Sequence, residues 1–187
     1  MNSSATVSAS PAGASLIALT DSEDRLDIRK KYQYLSRQLS LMYQEADPRV
    51  DPYKILKILH SRRTPQLVTI IGNRSQSLGL LVEWSKALGA TKQPCILLLS
   101  DTEGFSISSK AAAHQALLEK YGAPFIGILQ IGGTWNPVER RCDGLAWCGW
   151  WQGFEASSIS KEISELETSF LIRKRWSQVI NDNLFEG

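Results

Sequence analysis

The chain has 187 residues, 43% hydrophobic and 21% charged, with a formal net charge of +2. That is the length of one globular domain with trimmings, able to bury a real core. The small charge argues against a nucleic-acid partner, and no apolar run approaches the ~20 residues that span a bilayer.

Residues 1–19, MNSSATVSASPAGASLIAL, are rich in Ser and Ala and contain no Lys or Arg. They read as a flexible tail. A secretory leader or a mitochondrial presequence needs basic residues, so a cytoplasmic location is expected.

Residues 20–63 read as a helical extension. Thr20, Asp21 and Ser22 offer capping oxygens. Ile28, Tyr32, Leu35, Leu39 and Met42 then recur at alternating four- and three-residue steps, the seam of one helix reaching to Asp47-Pro48. Asp51-Pro52 starts a second helix, with Asp as cap and Pro in the first turn, and Thr64-Pro65 ends it.

Residues 66–151 read as an α/β core. Leu67–Ile71, Cys95–Leu99 and Phe125–Ile131 are short apolar runs bounded by Gly, Pro or polar clusters. Helical patterns separate them, one closing on Gly89 and one running from about Ser108 to Lys120 before Gly122. Continuous apolar strands alternating with helices predict adjacent parallel strands covered on both faces. Gly132 to Pro137 reads as loop. Gly144 to Trp151 reads as a fourth strand of undetermined direction, whose alternation would separate Trp147 from Trp150. A last helix is expected over residues 158–182. The expected architecture is a single small Rossmann-like three-layer α/β domain. It has a three- or four-stranded, mainly parallel sheet, two N-terminal helices and a C-terminal helix.

In such sheets ligands sit outside the carboxyl ends of the strands. Three polar or glycine-rich segments should meet there. The first supplies Asn73, Arg74, Ser75 and Ser77 before a helix, where free backbone N–H groups attract anions and Arg can grip a phosphate bidentately. The second supplies Ser100, Asp101 and Thr102, and the third Gly132 and Gly133, which would let backbone approach a ligand closely. GNRSQSLG has neither the Lys-Ser/Thr of a P-loop nor the spacing of GxGxxG. The acidic turn Asp101–Glu103 reads as solvated rather than as a Mg²⁺ site. Cys95, Cys142 and Cys148 cannot all pair, and the last two fit no common zinc spacing, so free thiols and no metal are expected.

Two helices, then a strand, a Gly/Ser loop and a helix, resemble the start of sugar-phosphate isomerase domains over roughly residues 50 to 130. The resemblance implies a phosphosugar held by serine-rich loops. The second loop here, SDTEGFSISS, departs from that family's Ser-Gly-[Glu/Asp]-[Ser/Thr] turn.

Catalytic equipment is sparse. His60 and His114 fall within helices, and no nucleophile has a GxSxG setting. Catalytic residues and cofactor are therefore left open. Six tryptophans are many for this length, and Trp147, Trp150 and Trp151 crowd into one segment. With Tyr32, Leu35 and Leu39 they form a candidate partner-binding set. Arg62-Arg63, Arg140-Arg141 and Arg173-Lys174-Arg175 read as solvated faces. The expected function is a non-catalytic interaction or adaptor subunit that docks on another chain or on a second copy. The alternative is a binding or catalytic domain for a nucleotide or phosphorylated small molecule at the strand-end loops.

Overall fold

The computed structural model describes residues 15–20, 25–62, 64–71, 77–100, 107–151 and 159–185. These form an α/β arrangement, a parallel sheet flanked by helices, consistent with a Rossmann-like fold. In chain order the elements are β1 (Leu16–Thr20), α1 (Arg25–Gln38), β2 (Met42–Ala46), α2 (Pro52–His60), β3 (Gln66–Ile71) and α3 (Ser77–Thr91). Then follow β4 (Cys95–Ser100), α4 (Ile107–Lys120), β5 (Phe125–Ile131), α5 (Pro137–Cys142), β6 (Trp147–Trp151) and α6 (Ile159–Phe185). The sheet order is β2-β3-β1-β4-β5-β6, and every neighbouring pair is parallel.

The expected three or four strands become six. Leu16–Thr20, all but its last residue in the stretch expected to be tail, is a central strand, and its first four residues are almost fully buried. It inserts between β3 and β4, so the strands from Gln66 and Cys95 are not neighbours as expected. The helix expected to reach Asp47 stops at Gln38, where Ser40 takes a positive φ of 58°. Met42–Ala46 pairs with β3 instead, as an edge strand. Pairing across the sheet here overrides a seam that continues in helical register.

Gly89 does not end its helix. α3 continues to Thr91, and a Cβ at Gly89 would overlap the Tyr121 carbonyl oxygen. The glycine serves close approach of a neighbouring turn. Asn136-Pro137, read as loop, opens α5: the Asn136 Oδ1 accepts from the N–H groups of Val138 and Glu139 at 3.1 and 3.4 Å.

Two apolar layers cover the sheet. One face packs Leu56 and Leu59 of α2, Trp84 and Leu88 of α3, and Ala111 and Leu118 of α4. The opposite face packs Tyr32 and Leu35 of α1, and Ile172 and Trp176 of α6. The step from β1 to β2 runs one way along the sheet over the α1 face. The next three crossovers run the other way over the opposite face. Reversing direction and face together keeps all these crossovers of one hand.

Candidate functional site

β1 is where the connections diverge. Its own continues into α1 on one face, while β3 and β4 on either side continue into α3 and α4 on the other. The carboxyl end of β1 is therefore the topological switch point, where open α/β sheets place ligands. Thr20 ends this strand, and its hydroxyl hydrogen-bonds the phenol of Tyr32, which is fully buried beneath α1. Beside it, the Arg29 guanidinium grips Glu45 bidentately at 2.6 and 2.8 Å. Tyr43 donates to the same carboxylate at 2.8 Å and accepts from Thr69 Oγ1 at 3.2 Å. Burial and the neighbouring carboxylate push the Tyr43 phenol well above its ordinary range, and it stays protonated as a donor. This network ties α1 to the edge strand and fixes the helix that leaves β1.

The described part of the carboxyl edge also includes the turn after β5. Gly132 and Gly133 have φ of 71° and 65°, a left-handed pair. Gln130 donates from Nε2 to the carbonyls of Gly132 and Thr134 at 3.1 and 3.0 Å, which pins the turn from below. The Trp150 indole caps the Gly132 carbonyl at 3.0 Å.

Arg140 anchors the other side of Gln130. Its side chain lies over the Trp147 ring at 4.7 Å and near the Trp135 ring at 5.8 Å. Its guanidinium donates to Gln130 Oε1 at 3.1 and 3.3 Å and to Ser108 Oγ, at the start of α4, at 2.7 Å. Ser108 in turn donates to Asp143 at 3.0 Å. The direct Arg140–Asp143 separation is 3.9 Å, so the hydroxyl bridges cation and carboxylate. The arginine read as part of a solvated basic cluster is only 8% exposed. The Asn136-Pro137 capping pattern carried the missed signal: it starts the short helix that turns Arg140 inward. Thr20, expected as a helix cap, is instead the last residue of β1.

Among the ligand candidates, Asn73, Arg74, Ser75, Asp101 and Thr102 lie outside the described residues. Ser77 opens α3 and Ser100 ends β4, at the carboxyl edges of neighbours of β1, while Gly132 and Gly133 form the pinned turn. Among the partner candidates, Tyr32, Leu35, Leu39 and Trp151 lie inside one core, and Trp147 lies inside the other. Trp150 is half-buried on the Gly132 turn. Trp147 and Trp151, which simple alternation would place on one face, occupy opposite cores. Cys148 steps out of the β5–β6 ladder between them.

No cluster of metal-ligating side chains occurs among the described residues, and no described helix is long and apolar enough to cross a membrane. Comparison of the chain with protein-family models finds no match, and comparison with curated proteins finds none either.

Proposed function

We propose that the domain binds a small anionic molecule of the phosphorylated or nucleotide class at the carboxyl end of β1. One observation carries this reading: β1 sends its connection to one face while both neighbours send theirs to the other. The chemistry of the two flanking connections supports it. One contains Arg74 between Asn73 and Ser75 and leads into Ser77, and the other contains Asp101 and Thr102 directly after Ser100, the last residue of β4. The pinned Gly132-Gly133 turn provides side-chain-free backbone further along the same edge.

A titration with nucleoside phosphates, dinucleotides and sugar phosphates, followed by thermal shift and calorimetry, tests it. At least one class should bind, and Arg74→Ala should abolish that binding while leaving the unliganded melting temperature unchanged. Absence of binding by the unmodified protein at millimolar concentrations overturns the reading.

A second reading, an interaction subunit, draws on a different observation. Leu166 and Phe170 stand one turn apart on α6 and are 62% and 66% exposed. Sedimentation velocity at tens of micromolar, with and without Leu166→Glu, tests self-association through them. A monomer that the substitution leaves unchanged removes that form of the reading.

A further inference from the structure

A cavity of about 480 Å³ opens between α6 and the amino ends of β5 and β6. It is remote from the switch point, at the other end of the strands. Phe125, Ile126, Ala146 and Val179 form its apolar wall, and Arg175, Gln178 and Asp182 supply its polar groups. The α6 residues follow i, i+3, i+4 and i+7 spacing, which places them along one helix face.

The seat of Arg175 is built by irregularities in two strands. Ile126 steps out of the β4–β5 ladder and Cys148 out of the β5–β6 ladder. Arg175 Nη1 donates to the Ala146 carbonyl at 2.9 Å and lies 3.5 Å from both the Ile126 carbonyl and Cys148 Sγ. A Cβ at Gly127, whose φ is 146°, would overlap the Ala146 oxygen and come within 2.8 Å of Nη1. A glycine and two bulges thus admit one nitrogen of the guanidinium.

A guanidinium has a second edge, formed by Nε and Nη2, that matches a carboxylate. Among the described residues the hydrogen bonds of Arg175 all use Nη1, and this edge has no partner there. We propose that the cavity binds a small monocarboxylate with an apolar body. The Nε/Nη2 edge grips the carboxylate, and the body lies against Phe125 and Val179. Asp182 stands seven residues along α6, about 10 Å by helical rise, and its negative charge disfavours a second acidic group at that end.

Titration of isotope-labelled full chain with phenylacetate and hexanoate, against phenylacetamide and hexanamide, tests the proposal by NMR. Both carboxylates should shift the Arg175 Nε–H resonance and the Phe125 and Val179 signals in a saturable way, and the amides should not. Arg175→Lys should weaken binding about tenfold or more, since Lys keeps the charge and loses the fork. Asp182→Asn should tighten it about threefold by removing a like charge. Equal responses to acids and amides, or no Nε–H shift with the acids, overturn the proposal. Arg175 would then be a clip that holds α6 on the sheet. Because the Nε–H and Asp182→Asn measurements retain the native arginine, the test survives any unfolding of the Lys variant.

Discussion

The indole N–H of Trp147 is shared between the two carboxylate oxygens of Asp143, at 2.9 and 3.1 Å. That carboxylate also accepts from Ser108, and the face of the same indole carries Arg140. The start of α4, the end of α5 and the first residue of β6 therefore share one polar knot, next to a hydrophobic layer. Buried networks of this kind rigidify when every member is satisfied and fail badly when one is removed.

Arg140→Met follows from this. Met matches the apolar stem but leaves Gln130 Oε1 and Ser108 Oγ without their donor and Asp143 without its nearby cation. A loss of about 3 to 5 kcal/mol in urea unfolding is expected, as for breaking one side of a buried charged pair. A double variant, Arg140→Met with Asp143→Asn, should recover part of it.

Gly149→Ala tests how tightly α6 sits on β6. Gly149 has a φ of 145°, and a Cβ there would overlap Thr168 Oγ1. Backbone strain and overpacking together should cost about 2 to 5 kcal/mol. Adding Thr168→Ala should relieve the overlap and leave the strain, so thermal denaturation should show partial recovery.

Alkaline pH should weaken the fold through a thiol. Burial pushes Cys148 up to about 11 from its ordinary 9.0, against the opposing pull of Arg175. The unfolded chain loses this proton first. The thiol's contribution is therefore full below about pH 9 and lost as pH rises to about 11, on the order of 2 kcal/mol. Burial raises Cys95 in the same direction. Unfolding curves across this range should slope downward, and Cys148→Ala should flatten the slope.

Thiol accessibility separates the three cysteines. All are free; Cys142 is exposed, while Cys95 and Cys148 are buried. An aromatic disulfide reagent should label one thiol rapidly in the native protein and three in denaturant. Rapid labelling of Cys148 in the folded state would contradict the packing around Gly127.

The runs at Leu67, Cys95 and Phe125 were legible because strands buried on both faces are apolar without interruption, as their burial confirms. The Asp51-Pro52 start of α2 was legible for its capping chemistry, and Asp51 accepts from the Tyr53 N–H at 2.9 Å. Two strands escaped for different reasons. LIALT is too short to outweigh the Ser/Ala-rich chain before it. MYQEA is a polar edge strand whose pairing with β3 has no local signature. The carboxyl ends of β3, β4 and β5 were legible from the polar or glycine-rich stretches that follow them. Their relation to β1 was not, since a switch point belongs to strand order rather than to any stretch of residues. The Arg140 knot was hidden because a dibasic pair gives no hint that one member turns inward.

The position of β1 sets an order of events during synthesis. It precedes every other described strand in the chain, yet both of its neighbours come much later: Thr20 pairs with Ile71 on one side and Leu98 on the other. Until about residue 100 has emerged, the growing chain can assemble β2 against β3 but cannot flank the central strand on both edges. The centre of the sheet is thus closed only late, after β2 and β3 are available to pair. Severing the chain between Thr20 and Arg25 would leave β1 on a separate piece that must rejoin by slotting between β3 and β4, a natural pair for complementation from separately made pieces.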